Sequence, residues 1–234
     1  MAVWYIVKSG GSATGDVGRV TSPPTGVASD NPLLIVSVSD TNMDQESAGA
    51  TESSGASGDI TITGNVAIKS FKATIQDDLL ITSSNSHFYA YDSELNFTGT
   101  GDRVNVAGDG ISVNLFDTDM TWDVDNPAGG AFIVTNAAEI MMRGGSVGAT
   151  TGNLDALIED GTTNGGLTGI FNAVDLSNID GTLLLGSGGT AADDKIKVLI
   201  NNCDLNAGVA FKNESFLQPN QDMQINNSSS VSAA

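Results

Sequence analysis

The sequence predicts an all-β fold, a β-solenoid of about seven coils with 25–29 residues in each coil. The main observation is a repeat: an alternation of apolar and variable residues, then a turn former, two or three polar or small residues, and a closing apolar residue. A repeat of this length indicates one supersecondary unit stacked along an axis. A degenerate copy is predicted near residues 66–75. The closing residues are Met43, Leu95, Met120, Val147, Leu176, Leu205 and Val231.

The residue types predict short parallel strands, with two or three strands in each coil. Each copy opens with alternating β-branched, aromatic or long apolar side chains, which is typical of strands. Clusters of Gly, Asn, Asp, Ser and Thr, such as 98–102 and 161–166, separate the copies and indicate turns. Sustained helical spacing is absent, so helical repeats fit poorly. Equivalent side chains of a parallel coil stack about 4.8 Å apart, so the closing residues are predicted to form one inward stack.

The chain divides into three parts. Residues 1–30 form an entry segment, residues 31–208 carry the coils, and residues 209–234 hold a last half-coil and a Ser-rich tail. The open ends of a solenoid expose unpaired backbone groups, which invite edge-to-edge growth. The apolar start of the chain is therefore predicted to serve assembly, as a cap on the first coil or as an arm that reaches a neighbouring subunit. Its residues are Val3, Trp4, Tyr5, Ile6 and Val7.

Two segments have the form of a known coil and a known entry. Residues 197–206 read Lys-Val-Leu-Ile-Asn-Asn-Cys-Asp-Leu-Asn, and residues 3–12 read Val-Trp-Tyr-Ile-Val-Lys-Ser-Gly-Gly-Ser, an aromatic strand before a Gly-Ser loop. On these segments the chain resembles the right-handed parallel β-helix, or pectate-lyase-like, superfamily over roughly residues 1–231. The resemblance implies a right-handed winding. It is unspecific for activity, since this fold hosts polysaccharide lyases, hydrolases, viral tailspikes, adhesins and inert virion parts.

Charge and composition narrow the classes of partner. The chain of 234 residues holds 28 Asp and Glu against 9 Lys and Arg, for a formal net charge of −19. Such a surface repels nucleic acid and anionic membranes. Its start lacks the basic region and long apolar core of a signal peptide, and no apolar run approaches a membrane span. The lone Cys203 excludes an internal disulfide framework and is expected to be a small buried or turn thiol.

The titratable residues give little support for catalysis. His87 is the only histidine, and we interpret it as structural. Carboxylate pairs act as acid and base in β-helix glycosidases, but here they lack the accompanying motifs. Four carboxylates within 117–125 offer the oxygen ligands that Ca²⁺ prefers, yet without an EF-hand loop or a calcium-binding repeat. We therefore predict no catalytic residue, no metal site and no cofactor. The pairs considered are Asp77 with Asp78, Asp117 with Asp119, Asp123 with Asp125, and Asp193 with Asp194.

An acidic solenoid with a weak case for enzymology and no signal peptide is typical of phage virions. The expectation is a virion structural protein made in the host cytoplasm, most plausibly a capsid decoration, or cement, protein. It would work as a homotrimer that docks on the major capsid protein outside the phage head. The alternative is a carbohydrate-binding or carbohydrate-cleaving β-helix, such as a small tailspike. A secreted bacterial adhesin is less favoured because a signal peptide is not evident.

Overall fold

The computed structural model describes residues 3–8, 33–38, 50–53, 60–62, 64–125, 129–161, 166–186, 196–212 and 221–231, in which every regular element is a β-strand. The strands are, in chain order, β1 (Val3–Lys8), β2 (Leu33–Val38), β3 (Ala50–Ser53), β4 (Ile60–Ile62), β5 (Val66–Lys69), β6 (Phe71–Ile75), β7 (Leu79–Ile81), β8 (His87–Tyr91), β9 (Glu94–Phe97), β10 (Val104–Val106), β11 (Ile111–Phe116), β12 (Asp119–Asp125), β13 (Gly130–Val134), β14 (Ala138–Arg143), β15 (Val147–Thr151), β16 (Leu154–Asp160), β17 (Leu167–Asn172), β18 (Asp175–Leu176), β19 (Ile179–Gly186), β20 (Ile196–Asn201), β21 (Asp204–Asn206), β22 (Ala210–Lys212), β23 (Gln221–Asn226) and β24 (Ser229–Val231).

The strands form parallel sheets that the chain visits in turn. Sheet A has nine strands in the order β1-β2-β5-β8-β11-β14-β17-β20-β23, and sheet B has five in the order β15-β12-β9-β6-β3. Sheet C has seven in the order β22-β19-β16-β13-β10-β7-β4. Sheet D joins β18, β21 and β24, and an isolated bridge between Ser146 and Asp175 connects it to sheet B. The fold is the predicted all-β solenoid of stacked parallel strands.

The solenoid makes about five turns, slightly fewer than the predicted seven. The coils from β5 to β19 have described side chains in all three walls, and β1–β4 and β20–β24 extend the sheets at the two ends. The sequence count included the motifs at both ends, which explains the difference. The degenerate copy predicted near 66–75 is present as β5 and β6.

The core lies inside the coils and is built by stacking at constant register. On sheet A, Val66 lies opposite Phe88, Phe88 opposite Val113, and Val113 opposite Ile140. All four side chains are at most 1% exposed. Because strand residues alternate between faces, every second residue of a strand faces inward. Each fully buried side chain of this kind contributes about 1.5–3 kcal/mol relative to an exposed one.

In each described coil the residue directly after the sheet A strand is left-handed, where the chain turns towards sheet B or D; after β14 a second left-handed residue, Gly145, follows with φ of 76°. The residues directly after the strands have φ between 46° and 70°, a conformation that Gly, Asn and Asp adopt at least cost. The turn former of the sequence repeat therefore has a conformational cause. Asn202 and Asn227, predicted to share a turn position, are both in the set. Its members are Ser70, Asp92, Asp117, Gly144, Ala173, Asn202 and Asn227.

The residue after the left-handed position often carries a side-chain donor that closes the turn. Ser93 Oγ donates to the carbonyl of Tyr91 at 2.7 Å, and Cys203 Sγ donates to the carbonyl of Asn201 at 3.3 Å. Cys203 is buried, so its predicted role as a buried turn thiol is confirmed. Burial also raises the pKa of the Cys203 thiol, so this thiol stays protonated at neutral pH.

Replacing Cys203 by serine is expected to change the free energy of unfolding by less than about 1 kcal/mol, because a hydroxyl can make the same bond. Ser93 already occupies the equivalent position of another coil. Urea denaturation of the two proteins measures the difference. Cys203→Leu serves as the matched control and is expected to cost about 1–3 kcal/mol through overpacking. A serine variant as unstable as the leucine variant would contradict the assigned role.

Candidate assembly surface

The carboxylates considered from the sequence lie at separate corners of the solenoid. Asp77 and Asp78 lie between β6 and β7, whereas Asp117 and Asp119 lie at the turn into β12. Asp78 is engaged structurally, since its carboxylate accepts hydrogen bonds from the Arg103 backbone N–H at 3.0 Å and from the Asn105 amide at 2.8 Å. Asp193 and Asp194, and the side chain of Asp125, lie outside the described residues.

The described residues contain neither a metal cluster nor a membrane-spanning helix. No group of three or more His, Cys, Asp or Glu in them could hold a metal ion. No helix in the same residues is long and apolar enough to cross a membrane. Near Asp77 and Asp78, burial raises the pKa of Asp102, and the two neighbouring carboxylates raise it further. The carboxylates of Asp77, Asp78 and Asp102 therefore concentrate negative charge at this corner, and they are not among any group of described residues that could hold a metal ion.

Sheet A carries apolar side chains on its outer face as well as on its inner face. The outward residues alternate with the buried ones and are themselves half-buried. By strand register, one column runs over five coils from β8 to β20 and is interrupted by the buried Asn114. A second column is apolar in two coils only, at Tyr91 and Phe116, and continues with Arg143. We call this set the apolar stripe. It consists of Tyr89, Tyr91, Phe116, Met141, Ile170 and Leu199.

Aromatic rings form the part of the stripe nearest to β8. Tyr91 and Phe116 stack with centroids 5.0 Å apart and planes 6° apart, and Tyr89 lies beside Tyr91 at 6.3 Å and 2°. Such ring pairs each contribute about 0.5–1.5 kcal/mol beyond their buried area. Burial, together with the neighbouring Tyr89, raises the pKa of Tyr91. The rings therefore form a stiff, neutral platform on an otherwise acidic protein.

His87 ends this row of rings. Its ring lies 6.4 Å from that of Tyr89 at an angle of 34°. Its Nδ1 atom is buried and has no hydrogen-bond partner among the described residues. The interpretation of His87 as structural stays a prediction, and the structure adds one unsatisfied polar atom at the margin of the stripe.

Two cations stand on the same outer face. Arg143 and Lys197 are exposed on β14 and β20. The ion pairs found between described side chains are Lys72 with Glu94 at 2.6 Å and Arg103 with Glu159 at 2.8 Å. Neither Arg143 nor Lys197 is in an ion pair of this kind, and the same face also carries the exposed Glu139 on β14 and Asp222 opposite Lys197 on β23, so its charge is mixed.

The outer face of sheets B and D is acidic by contrast. Glu94 lies directly opposite Asp119 on sheet B, and Asp175 lies directly opposite Asp204 on sheet D. Like charges that face each other across neighbouring strands destabilise a sheet. On sheet B this is offset, because Lys72 lies directly opposite Glu94 and pairs with it at 2.6 Å, and Ser146 donates a hydrogen bond to Asp119 at 2.7 Å. We call Glu94, Asp119, Asp175 and Asp204 the acidic face.

The predicted inward stack can be placed by register. Leu95 and Val147 both lie opposite Met120 on sheet B, and Leu176 lies opposite Leu205 on sheet D. All five are buried, with at most 5% of each residue exposed.

The two ends of the predicted stack differ from its middle. By backbone register Ser230 lies opposite Leu205 and Val231 opposite Asn206. The side chains of Ser230 and Val231 lie outside the described residues, so the place of Val231 in the stack stays a prediction. Met43 lies outside the described residues.

The predicted assembly segment forms the first strand of sheet A. β1 pairs with β2 in parallel over its full length, from Val3 opposite Leu33 to Lys8 opposite Val38. The segment Val3, Trp4, Tyr5, Ile6 and Val7 therefore extends the wall of the solenoid by one strand. Its role as a cap or as an arm stays a prediction.

Comparison with protein-family models, with curated proteins and with solved structures gives no match for this chain.

Sequence reasoning missed the apolar stripe, although a signal for it exists. The repeat pattern defines the alternate strand positions only as variable, which hides what they share from coil to coil. At one of these positions, four of five successive coils carry an apolar or aromatic residue: Tyr89, Met141, Ile170 and Leu199. A surface strand facing water would carry polar residues there, so a column of apolar residues in variable positions indicates a second contact surface.

Proposed function

We propose that this protein is a virion structural component, a capsid decoration protein that docks outside a phage head and stabilises it as a homotrimer of side-by-side solenoids. The major capsid protein is the partner in that role. The observation that supports the proposal is the apolar stripe on the outer face of sheet A. A contiguous apolar patch on a soluble protein is a mark of an interaction site.

The size of the face suits a protein contact. Nine strands at about 4.8 Å each give sheet A a height of roughly 40 Å, and strands of six residues give it a width of about 20 Å. The resulting area, roughly 800 Å², equals the surface that each partner contributes to a standard interface. A face of this size suits lateral packing of rods, which leaves the rod ends for contact with a shell.

Replacing Ile170 by aspartate is expected to weaken self-association at least tenfold, because the contact would remove the carboxylate from water. Changes at central interface residues typically cost more than about 1 kcal/mol of binding free energy. Ile170 is half-buried on the outer face, so the fold should survive. Light scattering coupled to size exclusion measures the oligomer, and sedimentation with phage heads measures decoration. Ile133→Asp is the matched control, since Ile133 is half-buried on the outer face of sheet C.

A full-length protein that stays monomeric at high concentration and never sediments with heads would contradict the decoration role. Equal loss of association in the Ile170 and Ile133 variants would show that the stripe is not the contact.

A carbohydrate-binding β-helix is the second candidate function, and the row of aromatic rings favours it. Tyr89, Tyr91 and Phe116 are partly exposed and nearly parallel, and apolar sugar faces pack on such rings. Titration with host surface polysaccharide separates the two functions. Saturable binding that Tyr91→Ala abolishes would favour the carbohydrate function, whereas unchanged trimers without glycan binding would favour decoration.

A further inference from the structure

We infer that three copies of this chain turn sheet A towards a common threefold axis parallel to the solenoid axis, and that Glu139 of each copy pairs with Arg143 of the next. The partner that covers the outer face of sheet A is therefore another copy of this chain. The inference rests on the proposed trimer of side-by-side solenoids and deepens it, because it names the surface, the symmetry and the charged pair of the contact.

The strand register divides the outer face of sheet A into three columns that run along the solenoid. The central column, from β8 to β20, holds Tyr89, Asn114, Met141, Ile170 and Leu199. The first column lies two residues earlier in each strand, and from β8 to β23 it holds His87, Ser112, Glu139, Thr168, Lys197 and Asp222. The last column lies two residues later, and over the same strands it holds Tyr91, Phe116, Arg143, Asn172, Asn201 and Asn226.

Threefold symmetry determines which columns meet. Rotation about an axis parallel to the solenoid moves no residue along that axis, so each strand of sheet A meets the same strand of the next copy. Around a closed ring the start of each strand approaches the end of its neighbour, which makes the contact heterologous. The first column of one copy therefore faces the last column of the next, and Glu139 faces Arg143 because both lie on β14.

Charge complementarity supports this arrangement. From β8 to β23, β14 is the one strand whose first and last columns are both charged, and there the charges are opposite. The other charges of the two columns face neutral amides, since Lys197 meets Asn201 and Asp222 meets Asn226. No like charges meet, and complementary charge favours a specific contact.

Glu139 and Arg143 are also available for a partner. Both are exposed, and neither belongs to the ion pairs found between side chains that the structure describes. Their neighbours on the adjacent strands are neutral, namely Ser112 and Thr168 beside Glu139, and Phe116 and Asn172 beside Arg143. Four residues of extended strand separate the Cα atoms of the pair by roughly 13 Å, so the two side chains serve neighbouring copies better than each other.

The width of sheet A suits three copies. Strand β14 has six residues, which gives a wall about 20 Å wide. Three such walls around one axis stand roughly 6 Å from it, close to half the 10 Å spacing of packed sheets. The central column then fills the axis, where Met141, Ile170 and Leu199 each meet their two copies. Four walls would stand roughly 10 Å from the axis and leave it unfilled.

Exchange of the two charges tests the pair. Glu139→Arg or Arg143→Glu alone is expected to weaken association about tenfold or more, because like charges then meet at every contact of the ring. The double variant Glu139→Arg with Arg143→Glu restores opposite charges and is expected to recover most of that loss. Asp155→Lys, at an exposed position on β16 of sheet C, makes the same change in net charge as Glu139→Arg and should leave association unchanged. Sedimentation equilibrium measures the trimer, and circular dichroism checks that each variant is folded.

A mixture of the two single variants tests the threefold symmetry. One chain then carries two cations at these positions and the other carries two anions, so contacts between unlike chains are favourable. A twofold dimer of unlike chains has favourable contacts throughout, whereas a ring of three always contains one contact between like chains. The mixture is therefore expected to form fewer trimers than the double variant at the same total concentration. Stable dimers of unlike chains, with the wild type also dimeric, would overturn the threefold arrangement.

The outcomes separate this inference from the proposed function. Loss in both single variants with recovery in the double variant supports the pair of Glu139 and Arg143. Normal trimers in both single variants, or loss without recovery in the double variant, overturn the inference, and wild-type protein that still sediments with phage heads then leaves the decoration role standing. Wild-type trimers that respond to the charge exchange as expected but never sediment with heads would contradict the decoration role and support the contact.

Discussion

Replacing Trp122 by alanine is expected to lower the free energy of unfolding by about 3–5 kcal/mol, the usual range for a buried tryptophan. Trp122 is 1% exposed and stacks on Phe97 with centroids 4.6 Å apart and planes 16° apart. Its indole N–H also donates a hydrogen bond to the carbonyl of Asp102 at 2.7 Å. The change thus removes a ring pair, a hydrogen bond and the largest fully buried side chain among the described residues. Urea denaturation followed by circular dichroism measures the loss.

Trp122→Phe is the matched variant for this prediction. It keeps an aromatic ring near Phe97 but removes the donor to the Asp102 carbonyl, so a loss of about 1–3 kcal/mol is expected. An alanine variant that loses less than the phenylalanine variant would show that Trp122 does not hold β12 against the loop before β10.

Replacing Leu176 by alanine is expected to cost about 2–5 kcal/mol, as other truncations of buried leucine do. Leu176 is fully buried on β18, opposite Leu205 on β21. In a solenoid each coil contacts mainly its neighbours, so the loss should concentrate in the coils on either side. Hydrogen exchange of the amides in β17–β21 measures this local effect, and urea denaturation measures the total.

Leu185→Ala is the control for Leu176→Ala. Leu185 is a half-buried residue on the outer face of β19, and its truncation should cost less than about 1 kcal/mol, as most surface substitutions do. Equal losses in the two variants would mean that the depth of burial at Leu176 does not determine its contribution.

The inward positions of the strands and the turns between them could largely be predicted, because both depend on residues that are close together in the sequence. Alternation places Leu95, Met120 and Val147 on the inner faces of their strands, and a constant distance of three residues from the left-handed turn residue places them at the same point of successive coils. The turn former also has a local cause, since Asp92 and Asn202 adopt a left-handed conformation that few residues tolerate. Local pattern specifies register least at residues 228–230, where three serines follow one another.

The surface chemistry was less predictable because it depends on distant residues. Arg103 reaches Glu159 across 56 positions of sequence, and Asp78 meets Asn105 across 27. No spacing rule pairs these residues; their proximity follows from coil lengths that vary from turn to turn. The pair Asp77 and Asp78, considered from sequence as an acid and base, is held in a corner whose carboxylates are part of this network.

The sequence by itself determined the solenoid class, the turn positions and the part of the inward stack from Leu95 to Leu205, because each follows from alternation and repeat length along one chain. Only the tertiary structure decided which outward residues share a face. It brings Tyr91 onto Phe116 and leaves Arg143 exposed beside them, and it places Asp175 against Asp204. The physical reason is that a column along the axis joins residues one full coil apart, so its composition appears only when the register of neighbouring coils is known.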